Sequence, residues 1–248
     1  MNITVFRKKI IPVSFLSNGF HLKGFLHLPE TTHPPVIIGS HGLFSTGNSP
    51  KQIALAQKCT DLGIAYFRFD HCGCGESGGE FRKVTSLEGR VSDLLNAVHA
   101  VKRYPITGDN IGVFGSSMGG AVCMAVAAMP PYAGLPLVTA AAPVRILSNP
   151  QAIDAIQKSG DAMPDPAFYR KNLQFDISDK IPKISNILIF HGDADEVIPF
   201  SHGLEIYENA GDPKRLIVQK GGDHRMTRTT HQEIFIREAG LQFIKNLL

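Results

Sequence analysis

The sequence predicts an α/β protein with a mostly parallel central sheet covered by helices on both faces, and three features carry that prediction. From Val36 onward, short runs of branched and aromatic residues alternate with longer amphipathic stretches, as expected of buried parallel strands joined by crossover helices. One run, Ile111-Gly112-Val113-Phe114, breaks into Gly115-Ser116-Ser117-Met118-Gly119-Gly120 and passes at once into Ala121-Val122-Cys123-Met124-Ala125-Val126-Ala127-Ala128. That reads as strand, sharp turn and buried helix. Near the start, two apolar-rich runs at 10–16 and 20–26 flank Ser17-Asn18-Gly19; Asn-Gly between β-like runs marks a hairpin, so the chain opens antiparallel.

In order, 36–39 reads as a buried strand and 50–62 as the helix after it, followed by a strand at 64–69. The helix at 86–104 places Leu87, Val91, Leu94, Leu95, Val98 and Val101 at helical spacing. After the strand at Ile111 come strands at 135–141, 186–190 and 214–218, and an amphipathic helix at 232–248 closes the chain. Between Pro143 and Pro182 the pattern lapses into proline-containing sequence of mixed polarity with no clear strand. A structureless loop of that length is improbable inside a domain. The segment at about 144–183 is therefore expected to fold as a small helical cap inserted into a single domain spanning 1–248.

Of the 248 residues, 43% are hydrophobic and 19% charged, which is ordinary for a globular protein and leaves room for a substantial core. A formal net charge of +3 without a basic, aromatic-interleaved run argues against a nucleic-acid partner. No segment approaches the ~20 apolar residues of a membrane span. Arg7-Lys8-Lys9 precedes only a short apolar stretch broken by Pro12, with no small-residue cleavage site after it. Cys59, Cys72, Cys74 and Cys123 show neither C-x-x-C spacing nor a disulfide framework, so reduced thiols in a cytoplasm are the expectation.

Gly115-Ser116-Ser117-Met118-Gly119 matches G-x-S-x-G, which forces a serine to the tip of a strained strand-to-helix corner. The flanking glycines leave room for that corner. A serine hydroxyl needs a base to take its proton, and the base needs a carboxylate to set its tautomer. Both belong in loops at the carboxyl ends of strands. His224, in Gly221-Gly222-Asp223-His224-Arg225 after the last strand, is the candidate base. Asp195, in His191-Gly192-Asp193-Ala194-Asp195-Glu196-Val197-Ile198-Pro199, is the candidate acid, with Asp193 as the alternative. The oxyanion needs backbone donors. Met118, at a helix N-terminus, supplies one, and Leu43, just past Ser40-His41-Gly42, the second, with Phe44 as fallback.

His41 reads as a structural histidine under that loop. His71, Cys72 and Cys74 lie close together without a usual zinc spacing and read as a glycine-rich turn with incidental thiols, not a metal site. In the cap, Phe168, Tyr169, Arg170 and Phe175 either touch substrate or pack the cap onto the sheet; Phe44 and Tyr169 are the candidates for substrate contact.

Together, His41-Gly42, Asp70-His71-Cys72-Gly73-Cys74-Gly75-Glu76-Ser77, the Gly115 to Gly119 turn, the His191 to Pro199 run and Gly222-Asp223-His224 resemble the α/β-hydrolase superfamily from about Ser14 to Leu248. In layout and length the chain is similar to compact short-cap serine esterases such as the bacterial cinnamoyl or feruloyl esterases and the monoacylglycerol lipases. The resemblance implies the α/β-hydrolase fold, the order Ser117, Asp195, His224, and Asp195 rather than Asp193 as the acid. It departs at Cys72, which replaces the arginine common in Asp-x-Arg-Gly-x-Gly-x-Ser; altered packing is expected there.

The expected function is a serine hydrolase acting on small to medium acyl or aryl carboxylic esters through an acyl-enzyme, with hydroxycinnamoyl esters implied by the resemblance alone. No metal or organic cofactor is required, and the partner is a small-molecule ester. A thioesterase or an amidase or peptidase would use the same residues. Outside the enzymes, a ligand-binding protein that keeps the fold without turnover is the alternative, and the presence of all three partners counts against it.

Overall fold

In a computed structural model, which describes residues 8–146 and 168–248, the N-terminal runs form the expected hairpin. Strands β1 (Lys9–Ser17) and β2 (Phe20–Leu28) pair antiparallel from Lys9↔Leu28 to Ser17↔Phe20. Asn18 and Gly19 take φ of 49° and 82°, the two left-handed residues a tight hairpin needs. The strands that follow are β3 (Val36–Ser40), β4 (Ala65–Phe69), β5 (Ile111–Ser116), β6 (Leu137–Ala140), the two-residue β7 (Arg145–Ile146) and β8 (Phe175–Asp176), β9 (Ile187–Gly192) and β10 (Lys214–Gln219).

The main sheet has eight strands in the order β1-β2-β4-β3-β5-β6-β9-β10. From β4 to β10 all neighbours are parallel, while β2 joins β4 antiparallel. The chain steps from β3 outward to β4 and then returns to β5 on the other side of β3. Such a switch point opens a crevice at the carboxyl ends of β3 and β5, the natural ligand site of an open α/β sheet.

Successive strand residues serve different cores, which is why their runs show no polar alternation. Val36, Ile38, Val113, Leu137, Ile187 and Ile189 pack on one face against α3 (Leu87–Lys102), α4 (Met118–Ala127) and α5 (Ser201–Asn209). Ile37, Phe114, Val138, Leu188 and Phe190 pack on the other with α1 (Pro50–Asp61) and α6 (Thr229–Leu247). A further helix, α2 (Phe81–Val84), is a single turn; α3 starts where the Ser86 hydroxyl accepts the Gly89 N–H at 3.0 Å, a side-chain cap.

The structure differs from the sequence reading in three places. Neither α2 nor α5 is expected from the sequence: α2 is too short to show a period, and α5 carries Gly203 against the His191 ring. The final helix begins three residues early, at Thr229 rather than 232. At the stem of the expected cap, where no strand is read, β7 and β8 pair antiparallel and Arg145 joins Asp176 and Glu205. Two-residue strands leave no alternation to read. Most of the segment expected to form the cap, residues 147–167, and the side chains of Tyr169 and Arg170 lie outside the described residues.

A close crossing fixes β3, β5 and α4 together. A Cβ on Gly119 would stand 2.1 Å from the Ser40 carbonyl oxygen, and one on Gly120 2.5 Å from the Ala142 Cβ. The Gly119→Ala variant must push a strand end away from a helix. It is expected to lose at least the ~1–3 kcal/mol typical of overpacking, read as a lower urea midpoint; an unchanged midpoint contradicts the crossing.

Candidate active site

Ser117 follows β5 at φ 54° and ψ −127°, a strained geometry for a residue with a side chain, of a kind that costs about 1–3 kcal/mol. Its surroundings impose that conformation. Its N–H donates to the Ala140 carbonyl at 2.8 Å, and its own carbonyl accepts from the Gly120 N–H at 2.8 Å. A Cβ on Gly115 would meet the Gly119 carbonyl at 2.2 Å, so both flanking glycines are required by space. Met118 opens α4, where the first N–H groups have no intrahelical acceptor and the helix dipole is positive.

Ser117 Oγ lies 3.2 Å from His224 Nε2, and His224 Nδ1 lies 2.9 Å from Asp195 Oδ2 and 3.1 Å from Oδ1. The Asp195 side chain is fully buried, and its Oδ1 also accepts the N–H groups of Val197 and Ile198 at 2.9 and 2.8 Å. Those bonds suit an ionised carboxylate that orients an Nδ1–H tautomer and leaves Nε2 free to accept the serine proton. Asp193 is not on this chain of bonds; its carboxylate accepts the Gly221 N–H and ties the acid loop to the histidine loop. A third tie runs from the His224 N–H to Glu196 Oε2 at 3.2 Å. The backbones themselves touch, since a Cβ on Gly192 would meet the Gly222 carbonyl at 2.1 Å.

Across the crevice, Gly42 faces the serine: a Cβ built there would sit 3.4 Å from Ser117 Cβ and 4.0 Å from Oγ. His41 is buried beneath this loop. Its Nε2 accepts the His71 N–H at 3.1 Å, which leaves Nδ1–H to donate to the Gly42 carbonyl at 2.7 Å. Burial, with the Arg90 cation and His71 beside it, holds His41 well below the usual histidine range. Under it lies a second Ser-His-Asp chain, absent from the sequence reading. Ser40 Oγ is 2.9 Å from His71 Nε2 and His71 Nδ1 3.2 Å from Asp93 Oδ2, each residue fully buried. Asp93 also accepts from the Cys72 N–H and the Ser17 hydroxyl, at 2.9 and 2.7 Å. Although burial pushes the Asp93 carboxyl up, hydrogen bonds from His71, Cys72 and Ser17 bring it below its ordinary value.

The thiols of the same turn are engaged locally: Cys72 Sγ donates to the Gly78 carbonyl at 3.3 Å and Cys74 Sγ accepts from Arg90 at 3.4 Å. Phe44 packs at 5.7 Å on Phe81, which packs at 5.9 Å on Phe168, so a row of half-buried rings runs from the Gly42 loop to Phe168. Arg90 and Asp93 are the site-supporting residues that sequence reasoning passes over. Their signal is present, because two charged residues interrupt the stripe of Leu87, Leu94, Ala97, Val98 and Val101 that α3 buries.

Buried histidines make stability pH-dependent. Burial lowers His71 to about 4, and burial with the Arg68 guanidinium, which donates to His27 Nε2 at 2.8 Å, lowers His27 to about 4. The unfolded chain takes up these protons first, so the stability is complete above about pH 6.5 and is lost as pH falls toward 4, each group contributing up to about 1.4 kcal/mol per unit. A melting temperature that declines between pH 6.5 and 5, ahead of carboxylate protonation, checks this; a flat profile contradicts it.

The comparisons with known proteins bear on the fold and the family. The chain matches the hydrolase family described as serine aminopeptidase, S33, over residues 32–180, more than half its length. It is 29% identical over 240 residues to the uncharacterized protein YfhR of Escherichia coli O157:H7, covering 93% of this chain and 78% of that one. It is 28% identical over 212 residues to the mitochondrial palmitoyl-protein thioesterase ABHD10 of Mus musculus, covering 77% and 69%. Est1E of Butyrivibrio proteoclasticus, solved with ferulic acid bound, shares the fold at a TM-score of 0.75 and 20% identity, over 94% of this chain and 98% of that one. With a family match that runs from before β3 through the Ser117 turn, on a sheet of this topology, the chain belongs to the serine aminopeptidase S33 family of α/β-hydrolases.

Proposed function

We propose that this protein is a serine hydrolase that cleaves carboxylic esters of small to medium acyl or aryl groups through an acyl-enzyme. The observation that carries the reading is the unbroken chain from Ser117 Oγ through His224, 3.2 Å away, to the buried Asp195, 2.9 Å from Nδ1. His224 Nε2 takes the Ser117 proton as Oγ attacks the ester carbonyl. The tetrahedral oxyanion is received by the N–H groups of Met118 and Leu43. His224 then gives its proton to the leaving alcohol, and in the second half-reaction it activates the water that releases the acid and restores the serine. Asp195 stays ionised throughout.

The row Phe44, Phe81 and Phe168 supports an apolar or aromatic acyl group, and the sequence offers Tyr169 as a further substrate contact. The palmitoyl thioester named for ABHD10, the ferulic acid bound to Est1E and the peptidase name of the family define the substrate classes to compare. The same reading treats the chain as one domain with a cap inserted at about 144–183. The four cysteines are free and buried, which supports a reducing compartment such as a cytoplasm. No described helix is long and apolar enough to cross a membrane.

Hydrolysis of p-nitrophenyl esters from acetate to palmitate, alongside an acyl thioester and an amino-acid p-nitroanilide, tests this directly. Ser117→Ala and His224→Ala are expected to lose nearly all turnover, and Asp195→Asn about 10⁴-fold in kcat, with KM little changed. Equal turnover by wild type and Ser117→Ala contradicts the assignment. A folded wild type that neither hydrolyses any of these nor reacts with a fluorophosphonate is a ligand-binding protein on this fold.

A further inference from the structure

Arg90 lies on α3, 1% exposed, outside the bonds that join Ser117, His224 and Asp195. Its Nη1 donates to the carbonyls of His41 and Gly42 at 3.2 and 3.1 Å, and its Nη2 to the carbonyl of Leu43 at 3.0 Å and to Cys74 Sγ at 3.4 Å. The guanidinium thus grips three successive carbonyls of the loop that faces Ser117, while its Nε has no partner among the described residues. The carboxylate on its own helix, Asp93, is bonded instead to His71, Ser17 and the Cys72 N–H. A buried cation held by uncharged acceptors is costly, and an apolar side chain of similar length would fill the space at less cost. Packing alone does not account for an arginine at this position.

The peptide unit supplies an account. In a trans peptide the C=O and the following N–H point in opposite directions. The Gly42 carbonyl is drawn inward by Arg90 and by His41 Nδ1–H, at 3.1 and 2.7 Å, and also accepts the Ser45 N–H across the turn at 3.3 Å. The N–H of Leu43, in the same peptide, therefore points away from Arg90 and His41, and Gly42, on which a Cβ would stand 3.4 Å from Ser117 Cβ, brings that peptide beside the serine. Gly42 is the residue most free to let that peptide rotate, so the orientation depends on what holds the carbonyls.

We infer that Arg90 is the positioning residue of the oxyanion site: its fork anchors the carbonyls of 41–43 and thereby aims the Leu43 N–H at the substrate oxygen beside Ser117. This rests on the serine-hydrolase reading above. Arg90 touches neither substrate nor the reacting atoms. Its charge also polarises the peptide whose N–H receives the oxyanion, strengthening that donor through the hydrogen-bonded chain. A lysine offers the charge without the planar fork and reaches fewer of the three carbonyls.

The test compares wild type, Arg90→Lys and Arg90→Met, each verified as folded by circular dichroism. The readouts are kcat and KM on the best p-nitrophenyl ester and the Ki of an aryl trifluoromethyl ketone, whose hemiketal oxyanion occupies the same position as the intermediate. In Arg90→Met, kcat falls about 100-fold, the cost of losing one oxyanion donor. KM stays near the wild-type value and the ketone Ki rises by a similar factor. Arg90→Lys falls between the two. A folded Arg90→Met with wild-type kcat and ketone affinity overturns the proposal, as does a loss of kcat with unchanged ketone affinity, which is the mark of a merely structural residue. If Arg90→Met does not fold, Arg90→Lys decides by the same two readouts. Wild type that neither turns over esters nor is modified by a fluorophosphonate at Ser117 overturns the hydrolase reading itself; an active wild type whose Arg90 variants match it overturns only this inference.

Discussion

The bond from the Ser117 N–H to the Ala140 carbonyl, at 2.8 Å, and the contact of Gly119 with the Ser40 carbonyl hold a side-chain-bearing residue at φ 54°. A strained turn of this kind persists only where its surroundings over-determine it. The strain is carried by the sheet, since β5 is hydrogen-bonded to β3 on one side and to β6 on the other. The same crossing brings Gly42 to the serine, so the strained turn and the loop opposite it are set by one packing event.

Two Ser-His-Asp chains of similar geometry lie on either side of that loop, and their surroundings separate their roles. Ser40, His71 and Asp93 are sealed, with no room for a substrate, and their bonds join the end of β3, the turn after β4 and α3. Ser117 and His224 keep partial exposure while only the acid is fully covered. A satisfied buried network gives rigidity, whereas a partly open one can exchange protons with a bound molecule. The two are mechanically linked, because the His71 N–H supports the ring of His41, and His41 supports Gly42.

Much of this was legible in the sequence because it rests on local patterns. The hairpin follows from Asn18-Gly19, the buried strands from unbroken branched runs, and the serine turn from glycines that the structure shows to have no space for a Cβ. The hydrogen-bonding capacity of Asp193 and Asp195 is the same, so apart from the family resemblance it is their placement in three dimensions that separates the one that meets His224 from the one that meets Gly221. The support beneath the loop was not legible. Helical spacing draws attention to Val91 and Leu95, which are half-buried, whereas the fully buried positions between Leu87 and Leu94 are taken by Arg90 and Asp93. Their partners are backbone carbonyls and residues more than fifteen positions away, and carbonyls have no sequence signature. Helix α5 escaped notice because it is short and carries a glycine where the His191 ring presses against it.

The family match ends at residue 180, before Asp195 and His224, so the assignment of these two as acid and base stands on geometry. The covalent step is the point at which the whole account is most exposed. The most direct measurement is mass spectrometry of the intact protein and its peptides, acid-quenched during turnover of a p-nitrophenyl ester. The account predicts an adduct equal to the acyl group on the peptide containing Ser117, absent from Ser117→Ala. Turnover with no adduct, or an adduct on another residue that persists in Ser117→Ala, would contradict it.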